Sequence, residues 1–157
     1  MDKIIYHGSY LKIEFPQIRR YKFTKDFCWG FYCTEIKEQA QKQAAKFKTP
    51  IVNEYKLNLE GLKVKVFKDY SHEWLDFVVN CRNGATHLYD VVKGPMADDT
   101  IYEYLEAYMD NMMDEEKFFK LMKFKYPTHQ ISLHTIKALD HIKFISSYST
   151  KNNTQHC

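Results

Sequence analysis

The chain has 157 residues, of which 45% are apolar and 27% are charged, and its formal net charge is +3. This length favours one domain with one core, and the globular composition excludes a disordered or fibrous chain. The small positive charge and the lack of a long Lys/Arg run give no specific indication of nucleic-acid binding.

Apolar periodicity, interrupted by glycine, proline and Asn-Gly turns, divides the chain into short strands and helices. The predicted elements in chain order are strand 3–7, a long loop 8–25, strand 27–34, helix 35–48, strands 51–59 and 62–67, helix 71–80, strand 88–92, helices 98–113 and 114–124, strand 129–134, a short helix 135–140 and strand 142–146. Side chains that can accept a hydrogen bond from a helix N-terminus predict N-caps at Thr34, Ser71, Asp98 or Asp99, and Asp114.

Strands and helices mix without regular alternation, which favours an α+β domain over a doubly wound parallel sheet. We predict one domain over residues 1–146 and a polar, disordered tail over 147–157. The sequence contains no phosphate-binding glycine fingerprint such as GxxxxGK[ST]. Trp74, Phe77 and Val78 share one face of the predicted helix 71–80 and are expected in the core.

The spacing of the four cysteines does not indicate a metal site, but cysteine usage helps to predict the cellular compartment. Cys28, Cys33, Cys81 and Cys157 include no CxxC pair and no Cys/His cluster with zinc spacing. The Met-Asp-Lys start does not have the pattern of a signal peptide, and no apolar run approaches the roughly 20 residues of a membrane span. We therefore expect a cytoplasmic protein with free thiols, no bound metal and no membrane partner.

Three β-like segments each place a polar residue in an apolar setting, which makes them candidates for one binding site. They are Tyr6-His7-Gly8-Ser9, the segment from Gly30 to Thr34, and the segment from His129 to His134. Taken singly, each has an ordinary structural explanation: a histidine at a strand end, a tyrosine in the core, and a glutamine on an exposed strand. The basic stretch from Arg19 to Lys25 would attract an anionic ligand, although solvated loops share its composition.

In combination and order, these segments resemble the ADP-ribosyltransferase superfamily, whose first strand ends in a His-Gly-Ser/Thr motif. The chain looks more closely like a small, mostly bacterial family of unknown function within that fold. That family's motifs, YHGS, DFGxGFYxT, EWLDFVxxxR, YDxVxGPxADD and QxxxHTxxALxxLxF, correspond here to residues 6–9, 26–34, 73–82, 89–99 and 130–144. The resemblance implies an ADP-ribosyltransferase-like fold, with a split β-sheet and flanking helices.

The resemblance also implies that NAD is the co-substrate, bound in a cleft between the two halves of the sheet. Gly8 would bond the nicotinamide carboxamide through its backbone, because no side chain blocks the approach. His7 would bond a ribose hydroxyl, and Tyr32 would stack on the nicotinamide ring. Ser9 and Thr34 would be further polar contacts of the dinucleotide.

The implied catalytic residues are His7, Tyr32 and Gln130, and two positions depart from the pattern. Gln130 stands where many relatives have a catalytic glutamate, and its neutral amide can bond the ribose 2′-hydroxyl but cannot act as a general base. The acceptor would then have to be nucleophilic already, such as a phosphate or a nucleobase nitrogen. Cys28-Trp29 occupies positions where the family has glycine and a small or basic residue.

Three functions follow from the resemblance. The first is NAD-dependent ADP-ribosyl transfer to a nucleic acid or a protein, by an intracellular toxin that is paired with a small antitoxin protein. The second is hydrolysis of NAD without a macromolecular acceptor. The third, which the neutral Gln130 favours, is a module that only binds NAD or ADP-ribose.

Overall fold

The computed structural model describes residues 2–20, 25–123, 125 and 128–150, and it confirms the α+β class. The elements in chain order are β1 (Asp2–Ser9), β2 (Phe31–Cys33), α1 (Lys37–Ala44), β3 (Ile51–Asn58), β4 (Val64–Val66), α2 (His72–Arg82), β5 (Val91–Pro95), α3 (Asp99–Met109), α4 (Glu115–Met122), β6 (His129–Leu133), α5 (Ile136–Leu139) and β7 (Ile142–Ser149). In the described part of the chain, each helix is too short or too polar to cross a membrane.

The strands form two sheets that touch at their edges. One sheet has the order β1-β3-β7 and the other has the order β2-β6-β5-β4, in which β4 and β5 run parallel. A backbone bridge joins the sheets: Tyr6 of β1 donates to Thr34 O at 2.8 Å and accepts from Thr34 N at 2.9 Å. Beyond this bridge β1 and β2 no longer pair, so the two sheets separate.

Apolar side chains fill the space between the sheets and beneath the helices. Ile5, Tyr55 and Leu133 belong to a cluster that packs residues of both sheets together, whereas α2, α3 and α4 cover the second sheet around the fully buried Trp74. Trp74 and Val78 are buried as expected, and Phe77 is partly buried against the same cluster.

Three of the predicted N-caps are confirmed, and one is wrong. Ser71, Asp98 and Asp114 each accept a hydrogen bond from the backbone N–H three residues later. Thr34, however, does not cap α1, which begins at Lys37 after Ile36. Thr34 is held in the bridge to Tyr6, and its Oγ1 accepts from Ile36 N at 3.0 Å in the turn before the helix.

The ends of several elements differ from the predicted ones. β7 continues to Ser149, where Ser147 and Tyr148 pair with β3, so the ordered sheet extends into the predicted tail 147–157. β2 is much shorter than the predicted strand 27–34, because the chain turns before Phe31. Residues 151–157 and the end of the predicted helix 114–124 lie outside the described residues.

The prediction of free thiols is wrong for one pair, because Cys28 and Cys81 form a disulfide across a sequence separation of 53 residues. Their Cα atoms lie 4.7 Å apart, which is within the ordinary range for such a bond. Cys28 has a φ of +71°, a backbone conformation that favours glycine, the residue that the resembling family has at this position. Cys33 is a buried free thiol.

Gly8 lies where α1 packs directly on β1. A Cβ atom at Gly8 would lie 2.2 Å from Ala40 O and 2.8 Å from Ala44 N, both of which are backbone atoms of α1. Backbone atoms of a helix cannot rotate aside, so any side chain at residue 8 would displace α1. The packing of α1 therefore requires glycine here, whether or not a ligand is bound.

We expect the Gly8→Ala variant to lower the free energy of unfolding by about 2 kcal/mol, which is typical of an overpacked core site. Urea unfolding followed by circular dichroism would measure the loss. Ser9→Ala, a change at the next buried position, is the matched control and should cost less than about 1 kcal/mol. Equal stability of Gly8→Ala and wild type would contradict the observed contact between α1 and β1.

We expect reduction of the Cys28–Cys81 disulfide to lower the free energy of unfolding by about 4 kcal/mol, because the unfolded chain regains the entropy of a long closed loop. Guanidinium unfolding with and without a dithiol reductant would measure this. The Cys81→Ser variant should lose the same free energy of unfolding, and reductant should not change its stability further. The Cys28→Gly variant should lose less stability than Cys81→Ser, since glycine adopts the left-handed backbone conformation of residue 28 without steric strain. A wild type that is equally stable with and without reductant would refute the stabilising role.

Candidate functional site

A cleft with two arms opens where β1 and β2 separate beyond the bridge. Five residues line both arms: His7, Gly8, Lys25, Tyr32 and Gln43. The loop arm, about 380 Å³, is lined further by residues of the loop after β1, including Tyr10, Ile13, Phe15 and Arg19, and by Trp29 and Phe47. The Gln130 arm, about 420 Å³, is lined further by Asp26, Thr34, Lys42, Lys46, Arg82, Ala97, Asp98 and Gln130.

The residues predicted for the site converge on this cleft. His7, Gly8 and Tyr32 lie at the junction of the arms, Ser9 lines the loop arm, and the Gln130 arm contains Thr34 as well as Gln130. β1, β2 and β6 each contribute, and β6 is brought to β2 by antiparallel pairing of Ser132 with Tyr32. The sheet topology thus gathers three segments that are far apart in sequence.

His7 is held as a neutral imidazole with a defined tautomer. Its Nδ1 lies 2.6 Å from Tyr32 O, and because a carbonyl oxygen only accepts, Nδ1 carries the proton and donates it. Burial lowers the pKa of His7 below its ordinary 6.5; the bond to Tyr32 opposes this shift and the nearby Lys25 adds to it. The other nitrogen, Nε2, is therefore a hydrogen-bond acceptor.

Gly8 turns its backbone polar groups toward the cleft. Backbone groups on a strand alternate in direction, so residues two apart point the same way. Tyr6 directs its N–H and C=O to Thr34, and Gly8 therefore directs its own N–H and C=O to that same edge of β1, away from β3. At Gly8 this edge of β1 is not paired with β2, so the Gly8 N–H and C=O can bond a planar amide.

The aromatic ring of Tyr32 is fixed at the junction of the two arms. Its hydroxyl donates to Cys28 O at 2.5 Å and accepts from Phe27 N at 3.0 Å, which ties it to the turn before β2. Burial raises the pKa of this hydroxyl well above its usual 10, so the phenol stays protonated. Lys25 Nζ lies 5.5 Å from the ring centroid, over one face.

A buried ionic network forms the floor of the Gln130 arm. The Asp26 carboxylate pairs with Arg82, and its Oδ2 accepts from Gln130 Nε2 at 3.0 Å and from Ala97 N at 2.9 Å. Asp26 and Gln130 are 5% and 6% exposed, so the network is shielded from water. The guanidinium of Arg82 also lies 4.7 Å from the ring centroid of Tyr102.

Cations dominate the rims of both arms. Lys25, Lys42 and Lys46 are exposed on the Gln130 arm, where Asp26 is already paired with Arg82. Asp98 also lies on this arm, and its Oδ1 accepts from Ile101 N at 2.8 Å as the N-cap of α3. The described lining of the loop arm carries Arg19 and Lys25 and no carboxylate. The cleft is thus suited to an anionic ligand.

Asp26 is the functional candidate that the sequence prediction missed. In the sequence, Asp26 stands out only as the first residue of the DFGxGFYxT motif. Its side-chain partners Arg82 and Gln130 lie 56 and 104 residues further along the chain. Arg82, at the end of α2, forms an ion pair with Asp26 that no local sequence pattern indicates.

A second cluster of hydrogen bonds lies around His134, whose ring packs edge-on against Tyr32. His134 bonds Ser132 Oγ at 2.7 Å and Trp29 O at 2.7 Å, and burial lowers its pKa to about 3. Gly30 has no space for a side chain, since a Cβ atom would lie 2.7 Å from His134 Nδ1. Within the described residues, no group of three or more His, Cys, Asp or Glu side chains is arranged to hold a metal ion.

Comparison with known proteins gives one match. A family model described as "Protein of unknown function (DUF3990)" matches residues 3–144, a range that runs from β1 into the first residues of β7. No curated protein matches the chain, and no solved structure does. Because the match covers most of the chain, the protein belongs to the DUF3990 family.

Proposed function

We propose that this protein binds NAD in the two-armed cleft and transfers its ADP-ribose to a macromolecular acceptor, as an ADP-ribosyltransferase with a split-sheet fold. The main support for the proposal is that β1, β2 and β6 bring four predicted site residues to one cleft: His7, Gly8, Tyr32 and Gln130. Two sheets that separate beyond a single described bridge, next to this cleft, support the proposed fold.

The junction of the arms would hold the nicotinamide riboside. The edge of β1 at Gly8 offers one donor and one acceptor, which match the carboxamide. His7 Nε2 accepts from a ribose hydroxyl. The nicotinamide ring stacks on Tyr32 once Lys25 has left the ring face, and the cation–π contact of an exposed lysine opposes this move by only about 0.5–1 kcal/mol.

The loop arm would hold the ADP half of the dinucleotide. Adenine is a flat, largely apolar ring that packs on aromatic side chains, and this arm offers Tyr10, Phe15 and Trp29. The diphosphate needs cations, and Arg19 and Lys25 lie along the same arm. The cleft therefore offers each part of NAD a group of matching chemistry.

The proposed transfer breaks the bond between the nicotinamide nitrogen and ribose C1′, and the bonding electron pair leaves with nicotinamide. A nucleophilic atom of the acceptor forms the new bond to C1′ and loses its proton to solvent. Gln130 is placed to orient a ribose hydroxyl but cannot take that proton. Lys42 and Lys46 at the rim favour an anionic acceptor, such as a phosphate group of a nucleic acid.

Two alternatives use the same cleft. NAD hydrolysis needs only water in place of the acceptor. A module that binds NAD without turnover is favoured by one observation: the carboxylate nearest to Gln130, that of Asp26, is paired with Arg82 and is not available as a base. In a cell, the transfer reaction would make the protein a toxin that a small antitoxin protein must neutralise.

Incubation with NAD labelled in its adenine, together with cell lysate, tests the proposed function. We expect label to become attached to macromolecules, and digestion with protease or with nuclease to show which class carries it. Label released only as free ADP-ribose indicates hydrolysis. Tight binding of NAD without release of nicotinamide selects the binding module, and absence of both binding and turnover contradicts the proposal.

Substitutions of Gln130 test its role in the reaction. Gln130→Ala should lower nicotinamide release about tenfold, since one hydrogen bond that orients the ribose is lost. Gln130→Glu should not raise it at pH 7, because the new carboxylate would lie against Asp26 and would keep a proton. Ser132→Ala, on the same strand, is the matched control. Wild-type rates in both Gln130 variants would remove Gln130 from the mechanism.

The affinity for NAD should depend on pH through His7. The neutral ring accepts a hydroxyl proton at Nε2, whereas the protonated ring cannot accept. Because burial lowers the pKa of His7 below 6.5, affinity should be constant above pH 6.5 and should fall as the pH drops further. Calorimetry would measure this, and His7→Ala should bind about tenfold more weakly at pH 7. A similar acid-dependent loss in His7→Ala would assign the titration to another group.

A further inference from the structure

We propose that Asp26 is a positioning residue that holds the Gln130 side chain in one orientation, with its carbonyl oxygen presented to the cleft. The inference goes beyond the proposed function by naming a residue that acts through Gln130, and its catalytic consequence rests on that function.

The orientation of the Gln130 amide follows from the chemistry of its partner. Arg82 pairs with Asp26 through a side chain that is only 10% exposed, and its guanidinium carries a permanent positive charge that a carboxylate balances. Asp26 Oδ2 also accepts from Ala97 N, a group that can only donate. An ionised carboxylate can only accept hydrogen bonds. The group 3.0 Å from Asp26 Oδ2 must therefore be the Gln130 NH₂, and the opposite orientation would bring two oxygen atoms together.

The remaining polar atom, Gln130 Oε1, is what the amide offers to a ligand. Within the described residues Oε1 has no hydrogen-bond partner, and it is not among the fully buried unpaired atoms, so it reaches the cleft that Gln130 lines. A carbonyl oxygen accepts from a ribose hydroxyl, as a glutamate oxygen would. A freely rotating amide would offer its NH₂ about as often and would lose that bond.

The same contacts exclude Asp26 as the missing general base. Its carboxylate accepts from Arg82, from Gln130 Nε2 and from Ala97 N, and its charge is balanced by Arg82. Taking up a proton would cancel the charge that pairs with the Arg82 guanidinium, whose side chain is only 10% exposed. Asp26 is therefore suited to orient its neighbours and not to take up a proton.

A double-mutant cycle separates positioning from mere support of the fold. Asp26→Asn should lower kcat for nicotinamide release about tenfold, with KM for NAD changed less than threefold, because a loosened amide misplaces the ribose. In a Gln130→Leu background the same substitution should change kcat less than twofold. An equal loss in both backgrounds would overturn the proposal. Asp98→Asn, which removes a carboxylate of the same arm, is the matched control and should show no coupling to Gln130.

A measurement on the wild-type protein covers the case in which Asp26→Asn does not fold. In ¹⁵N-labelled protein, the Gln130 side-chain NH₂ signal, assigned by its loss in Gln130→Leu, should exchange with solvent at least tenfold more slowly than those of the exposed Gln17 and Gln43. Exchange as fast as theirs would refute the bond to Asp26. If this protection is seen but NAD is neither bound nor cleaved, the proposed function fails while the orientation of Gln130 stands.

Discussion

The structure depends on one short backbone bridge, in which Tyr6 and Thr34 exchange two hydrogen bonds. This bridge joins the edges of the two sheets, whose apolar side chains also pack together, and it ends at Tyr6, directly before His7. Because β1 and β2 pair no further, the backbone of Gly8 and the ring of Tyr32 face an opening instead of each other. The cleft is therefore a direct consequence of where strand pairing stops.

The turn before β2 is fixed to α2 by two connections close together in sequence. The Asp26–Arg82 ion pair and the Cys28–Cys81 disulfide link the same two segments, at adjacent positions 81 and 82 on the helix. The Tyr32 hydroxyl then bonds the backbone of this turn at Cys28 O. A rigid turn matters here because Asp26 and Tyr32 line the cleft, and movement of the turn would displace both together.

The sequence predicts the local features well and the distant ones poorly. Ser71, Asp98 and Asp114 were predictable as caps, because a cap bonds a residue only three positions away. The disulfide was not, because connectivity between distant cysteines depends on the fold. His7 and Gln130 were predicted as site residues only through the resemblance. The hydrogen-bond partner of Gln130, Asp26, lies 104 residues earlier, beyond any local pattern.

Asp26 and Gln130 form one chemical unit, which accounts for a neutral residue at position 130. A glutamate there would place a second carboxylate within hydrogen-bond distance of Asp26, and Arg82 could balance only one of the two charges. One of the pair would then hold a proton, which would leave a neutral acid instead of a second anion. Glutamine avoids this repulsion and donates to Asp26, while it keeps an acceptor oxygen for the cleft. The negative charge on the floor of this arm is thus carried by Asp26 and balanced by Arg82.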